Sequence, residues 1–414
     1  MKRLLAATLA LLLVLCAYVP GFAAGDAAVS ANDDAELAWY YAQTNGGELN
    51  LTNAVSTDSM LFAVNALSWN ANSISYYTTR KRFSAVASES DAMIAECLAK
   101  AKAVVAEVIT PGMTRYDQYL ALHDWVVNNT VYDGNTLKEA YRGQTAWDAM
   151  INGRAVCNGY AKAYKLLCDT ANLPNIFMTG KAGDENHAWN LVACGGEWLC
   201  VDTTWDDPVP YPGGVQTLRH DYFMLTESEI STDHKAYLSG DRVKKLETLA
   251  YPDREDVAEI LNARGLFAGT GSGYDLLVTP KRDQGAVMFM KMLGYTDVNR
   301  PKNLTHPFTD IPYTDWASDW VALMYQEGYT KGYGDTFGRY DDLSLNQYLT
   351  FTLKALGYSS DSDFKWTEAD SFAVKQGILS QGEADAINKR GMKRGDMALI
   401  SYRVIDDLST EAAA

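Results

Sequence analysis

Gly153-Arg154-Ala155-Val156-Cys157-Asn158-Gly159-Tyr160 is the stretch on which the fold turns. A cysteine sits between two glycines, and an apolar run follows it: Tyr160, Ala161, Ala163, Tyr164, Leu166 and Leu167. That spacing predicts a loop that turns into a helix with a thiol at its N-terminus. A helix N-terminus carries partial positive charge and unpaired N–H groups, both of which favour a thiolate. Taken alone, a free cysteine is more often a small buried hydrophobe. His187 and Asp202, 30 and 45 residues further on, shift the balance towards chemistry.

Asn175–Gly180 reads as a strand. His187–Cys194 and Glu197–Thr203 are two apolar β runs with Gly195-Gly196 between them, the signature of a tight hairpin. With those glycines as the loop, Cys194 faces Glu197 and Trp189 faces Asp202. His187 and Trp189 share a face, since side chains alternate. His187 and Asp202 then become diagonal cross-strand neighbours, within reach of a hydrogen bond. The same register keeps Cys194 and Cys200 apart, which argues against a disulfide across the hairpin.

Cys157, His187 and Asp202 thus form a coherent set. The thiol is the candidate nucleophile, the imidazole takes its proton, and the carboxylate fixes the tautomer. The Cys157 N–H is a natural oxyanion donor, with Tyr132 and Trp125 as upstream candidates for a second.

The three motifs, Gly-Arg-Ala-Val-Cys157-Asn-Gly-Tyr, His187-Ala-Trp-Asn and Val-Asp202-Thr-Thr-Trp-Asp, resemble the transglutaminase-like superfamily in its bacterial secreted branch. His123-Asp-Trp-Val-Val-Asn-Asn leading to Tyr132-Asp133, and Tyr222-Phe223, add to the resemblance, which covers about residues 70–240. It implies an α+β, papain-like fold with the cysteine helix packed on a small antiparallel sheet. It also implies acyl transfer on amides; no cofactor and no metal are expected. Some members cross-link Gln to Lys, others hydrolyse peptides, and some are inactive.

Neighbouring residues have plainer readings. Trp189, Trp198 and Trp205 are expected in the core, although Trp189 and Trp205 flank the set. Asp206-Asp207 is expected as a solvated turn before Pro208, with cation binding as the alternative. His123 is expected as a helix-surface or packing residue, and Cys168 as a buried one.

Upstream, residues 25–69 are expected as a leader with a short helix at Glu36–Gln43, and Ser73–Phe83 as one strand. Helices are expected at Ala92–Ile109, Tyr116–Asn129 and Ala146–Ile151. Residues 1–24 read as a secretion signal: Lys2-Arg3, an apolar run from Leu4 to Val14, and small residues ending in Ala23-Ala24. Its loss takes the net charge from −16 to −18, which argues against nucleic acid and anionic membranes as partners. Of six cysteines, Cys16 leaves with the signal; the five that remain are odd in number, so at least one stays free. Neither Cys-x-x-Cys nor His-Glu-x-x-His occurs, so no zinc motif is present.

The C-terminal part repeats. Val257–Gly265 aligns with Trp320–Gly328 at an offset of 63, as do Gly269 with Gly332 and Gly294-Tyr295 with Gly357-Tyr358. A third copy lies 49 residues on. Units of this size must pack together to bury their apolar faces. Pro307-Phe308-Thr309-Asp310-Ile311-Pro312, Trp316-Ala317 and Gly332-Tyr333-Gly334-Asp335-Thr336-Phe337 resemble an S-layer homology repeat. The resemblance implies an all-α, three-repeat bundle over residues 255–410 (about 255–305, 306–360 and 361–410). It also implies binding of an anionic cell-wall polysaccharide, with Arg282, Arg394, Asp310 and Trp316 as candidate contacts. The middle copy has Leu345 where the others have arginine. The expectation is a secreted, wall-attached Gram-positive protein whose 70–245 domain acts on a peptide or protein at the cell surface. It is a hydrolase first, with a cross-linking transglutaminase or a non-catalytic scaffold as alternatives.

Overall fold

The computed structural model describes residues 28–42, 48–53, 55, 60–77, 81–133, 143–207, 218–251, 253–269 and 273–411. The expected secretion signal, residues 1–24, lies outside them. A five-stranded sheet at the centre of the N-terminal half organises what surrounds it, and its strands are best followed in chain order.

Helix α1 (Asp34–Ala42), strand β1 (Leu49–Asn50), helix α2 (Met60–Leu67) and strands β2 (Ala71–Tyr77) and β3 (Arg82–Ala87) come first. The single strand expected over residues 73–83 is instead two strands of a β1-β3-β2 sheet. Helices α3 (Asp91–Val108) and α4 (Arg115–Asn129) follow. Ser90 caps α3, and a reciprocal Thr114–Asp117 capping box opens α4. Strand β4 (Val131–Tyr132), helix α5 (Ala146–Met150) and strand β5 (Arg154–Ala155) lead into helix α6 (Cys157–Thr170).

The main sheet has the order β10-β6-β7-β8-β9, antiparallel throughout. Its strands are β6 (Asn175–Ala182), β7 (Glu185–Cys194), β8 (Glu197–Val201), β9 (Phe223–Leu225) and β10 (His234–Ala236). The short helix α7 (Glu227–Ile230) joins the last two. Cys194 pairs with Glu197 and Asn190 with Val201. This is the register a two-residue loop demands, and Gly195 and Gly196 supply the positive φ of 64° and 91° it needs.

Both faces of the sheet are covered. On one, α3, α4, α5 and α6 share a core with Val192 and Val201. Tyr160, Tyr164, Leu166 and Leu167 of α6 are fully buried there, each worth roughly 2 kcal/mol in removed apolar surface. Even Lys162 and Lys165 are buried, with ammonium groups reaching Ala71 O and Asp169 Oδ1 at 3.2 Å each. On the other face, α1 and α2 pack with Ile176, Met178, Trp189 and Leu191, beside helix α8 (Asp241–Ala250). Residues expected as a leader therefore form a layer of the core, and Lys245 of α8 ties α1 down through Asp33 (2.7 Å) and Glu36 (3.0 Å).

Beyond α8 every named element is helical. The helices are α9 (Glu255–Ala263), α10 (Arg282–Met292), α11 (Ser318–Gln326), α12 (Leu345–Ala355), α13 (Ala369–Lys375), α14 (Gln381–Arg390) and α15 (Arg394–Glu411), around one core. Helices α9 and α10 start 63 residues before α11 and α12, as the sequence offset requires. Helix α14 departs from the repeat. It packs on α8, and Gly382 Cα lies so close to that helix that a Cβ there would meet Asp241 O at 1.9 Å.

Candidate active site

Val156 is the N-cap of α6 and places no side chain on the helix's first N–H groups. Cys157 opens the helix, so the positive end of its dipole is left to the thiol. Gly159 makes the close approach possible. A Cβ there would lie 2.6 Å from Ala155 Cβ and 2.7 Å from Gly143 O. The helix start is seated against residues 143–145, with Asn158 Nδ2 donating to Gln144 Oε1 at 2.5 Å.

The structure brings Cys157, His187 and Asp202 together. His187 Nε2 donates to Asp202 Oδ2 at 2.7 Å, and the imidazole also hydrogen-bonds Cys157, leaving Nδ1 as the nitrogen for the thiol. Burial disfavours the imidazolium, but the hydrogen bonds and charges of Asp202 and Cys157 outweigh it and hold His187 up at about 10. Asp202 is fully buried. Its Oδ1 accepts from the backbone N–H of Thr204 (2.9 Å) and Trp205 (3.3 Å). Burial pushes Asp202 up, and its bonds to His187 and His234 overcome that and bring it down to about 2.

The five cysteines beyond Cys16 are all free, and burial raises the other four thiols, Cys97 and Cys200 to about 12. Cys157 alone among them sits half-buried beside a base. Cys168 is buried on α6, as expected.

His234 is the residue that sequence spacing misses. Its Nε2 lies 3.1 Å from Asp202 Oδ2 and its Nδ1 2.5 Å from Asp233 Oδ1. It sits on β10, which antiparallel pairing to β6 returns to the edge of the sheet. Trp189 and Trp205 pack against both imidazoles, with ring centroids 4.6–6.3 Å apart. Of the two upstream oxyanion candidates, Tyr132 lies within electrostatic range of Cys157: burial raises its phenol, and the Cys157 charge adds to that. Trp125 is instead buried with α4 under Lys100.

One expectation needs correction and another is narrowed. Asp206 and Asp207 are not a solvated turn: both are buried, Asp206 Oδ2 lies 3.0 Å from His123 Nε2, and Asp207 Oδ2 accepts from Tyr160 Oη at 2.5 Å. Of the two readings of His123, helix surface gives way to packing: it is fully buried and hydrogen-bonded on both nitrogens.

The candidate polysaccharide contacts separate. Arg282 is 5% exposed, donates to Tyr333 Oη at 2.5 Å and stacks on Tyr333 and Phe337. Arg394 is 7% exposed and donates to Tyr274 O (2.9 Å) and Ala268 O (3.3 Å). Both guanidiniums are used inside the bundle, so neither offers itself to an outside carboxylate. Asp310 accepts from the N–H groups of Phe337, Gly338 and Arg339 and fixes that turn. Trp316, 54% exposed, is the one of the four that remains open to solvent.

Residues 102–203, which include Cys157, His187 and Asp202, match the family model of the transglutaminase-like superfamily. The chain carries a transglutaminase-like domain. A cell surface protein of Thermoanaerobacter kivui is 33% identical over 153 residues, 35% of this chain and 19% of that protein. Kyphoscoliosis peptidase of Homo sapiens is 25% identical over 151 residues, 33% of this chain and 22% of the peptidase. A solved structure of a TGase is similar at 14% identity and a TM-score of 0.25, over 44% of this chain and 55% of that one. The chain spans about a fifth of the length of the two curated relatives. No helix among the described residues is long and apolar enough to cross a membrane. The transglutaminase-like domain holds its thiol, imidazole and carboxylate on three separate elements: the start of α6, strand β7 and the end of β8.

Proposed function

We propose that Cys157, His187 and Asp202 catalyse acyl transfer from amide or peptide bonds through a thioester, with water as the usual acceptor. The observation that carries this is the Cys157–His187–Asp202 chain at an uncapped helix N-terminus. The Cys157 thiolate attacks the amide carbon. The oxyanion that forms is held by the Cys157 N–H and the Tyr132 hydroxyl. The His187 imidazolium gives its proton to the leaving amine as the C–N bond breaks. His187, now neutral, takes a proton from water; the hydroxide attacks the thioester, and the thiolate leaves. Asp202 holds the imidazole through both steps without becoming protonated.

The only partial burial of Cys157 lets water reach the thioester, which favours hydrolysis over cross-linking. Both the resemblance to a peptidase and the family model accommodate this reading. The similarity to a cell surface protein supports an extracellular site of action. In this proposal the C-terminal helical repeats are S-layer homology units that hold the enzyme on an anionic wall polysaccharide. The contact is an aromatic surface with Trp316, Tyr313 and Tyr340 rather than the buried arginines.

The test offers the full chain and its Cys157→Ala variant a glutamine-bearing peptide, with and without a labelled primary amine. Free acid or cleaved peptide from the parent alone supports the hydrolase. Amine incorporation moves the assignment to a transglutaminase. No product, with Cys157 resistant to alkylation, leaves a scaffold. Anchoring is checked by pelleting the full chain with wall sacculi before and after removal of the polymer; equal pelleting sinks the polysaccharide claim.

A further inference from the structure

Away from Cys157, a second cluster of donors stands on α4 and on the segment leading into β9. His123 Nδ1, Asp124 Oδ1 and His220 Nε2 lie within 4.8 Å of one another. Asp124 Oδ1 is 3.0 Å from the first imidazole and 2.7 Å from the second. No short motif announces this set, because Asp124 and His220 are 96 residues apart.

The surroundings of His123 single the cluster out. Its ring is fully buried, and its Nε2 faces the buried Asp206 Oδ2 at 3.0 Å. Asp206 Oδ1 accepts from the Tyr222 N–H at 3.0 Å, so the carboxylate offers His123 only an acceptor. Nε2 therefore carries hydrogen, and in a neutral ring Nδ1 presents its lone pair to Asp124. A lone pair facing a carboxylate oxygen at 3.0 Å repels it unless positive charge lies between them. The place attracts a cation, and a proton is only the smallest one. A histidine that gives its other N–H to a buried carboxylate also has the arrangement that orients metal-binding histidines.

We propose that His123 Nδ1, Asp124 Oδ1 and His220 Nε2 bind one divalent transition-metal ion of the zinc type. Two imidazoles and one carboxylate suit Zn²⁺, Co²⁺ or Ni²⁺; Ca²⁺ and Mg²⁺ prefer oxygen ligands throughout. Ligand bonds of about 2.0–2.2 Å set tetrahedral donors roughly 3.4 Å apart; Asp124 Oδ1, now 3.0 Å and 2.7 Å from the two imidazoles, moves outward by less than an ångström to meet that spacing. His220, its side chain 43% exposed, has the freedom to move, and water completes the coordination. The ion ties α4 to the segment before β9. Through Asp206, whose N–H donates to Asp202 O at 3.2 Å, it steadies the loop that carries Asp202. Its role is positional and lies outside the reacting atoms.

The test uses the full chain, stripped with chelator, on a Cys157→Ala background. That background removes the thiol beside His187 as a competing ligand. Zn²⁺ is titrated by calorimetry and Co²⁺ by visible absorption. One equivalent of Zn²⁺ is expected to bind at micromolar concentration or below, with a Co²⁺ spectrum free of thiolate charge transfer. His220→Ala is expected to weaken binding by about 100-fold or more, and Asp206→Asn by about 10- to 100-fold. Circular dichroism checks that the exposed His220 position tolerates the change, and His220→Gln serves as its second variant. Absence of stoichiometric Zn²⁺ binding overturns the proposal, as does affinity unchanged by both His220 variants; the cluster is then a hydrogen-bonded network holding a proton.

Discussion

Asp202→Asn probes the charge that holds His187 while leaving the volume of the site unchanged. The Asp202 carboxylate is fully buried and accepts from His187 (2.7 Å), His234 (3.1 Å), Thr204 N (2.9 Å) and Trp205 N (3.3 Å). The amide oxygen of Asn can keep the two backbone bonds, but its NH₂ then faces the imidazoles. A hydrogen bond to a charged group is worth about 1.5–3 kcal/mol, and 1.36 kcal/mol is about one pKa unit, so the imidazolium loses roughly 1–2 units. His187 stands raised, at about 10, so the imidazolium is present at low pH and is lost as pH rises through that value. In the variant the loss comes earlier. The assay is the rate of Cys157 alkylation by iodoacetamide across pH, with the modified thiol mapped by mass spectrometry. The alkaline transition is expected to move down by about 1–2 units, and kcat/KM for amide release to fall by about 10²–10⁴. An unchanged pH profile and unchanged activity in a folded variant would refute the role given to Asp202.

Other perturbations test other links. Gly159→Ala drives a methyl group to within 2.7 Å of Ala155 Cβ and Gly143 O; stability in a urea titration is expected to drop by about 1–3 kcal/mol, with Cys157 less reactive. Asp202, held at about 2 against an ordinary 3.8, contributes stability that is complete above 3.8 and lost as pH falls through 2. That amounts to about 2 kcal/mol, and acid unfolding of Asp202→Asn should lack this component. Arg254→Ala removes a bond from Nη2 to Gly196 O (2.7 Å) that holds the β7–β8 hairpin to the start of the helical repeats. Limited proteolysis near residues 251–255 is expected to quicken, and an unchanged rate would show that the other contacts suffice.

Much of the site is legible without coordinates because it rests on short-range rules. A Gly-Gly loop allows one register, and that register puts His187 and Asp202 on the same face. Helical spacing after Cys157 places the thiol at a helix start. The repeats are legible for the same reason: an offset of 63 residues in glycines and apolar positions becomes the same offset in helix starts. His234 was not legible, because its approach to Asp202 depends on β10 returning to the edge of the sheet, a pairing that leaves no periodic signal. The arginines misled for a related cause. Arginine followed by polar residues at a helix start looks the same whether the guanidinium points outward or stacks on Phe337 and Phe267 inside.

The sequence by itself determined the thiol, imidazole and carboxylate, the hairpin that pairs two of them, and the repeating second half, since each follows from contacts between near neighbours in the chain. Tertiary structure alone decided that α1 and α2 form a layer of the core, that Asp206 and His123 meet in the interior, and that Arg282 and Arg394 are consumed within the helical bundle. Those outcomes depend on which surfaces exclude water from one another. That choice is made between segments as much as 212 residues apart, as Lys245 and Asp33 are, and no local pattern encodes it.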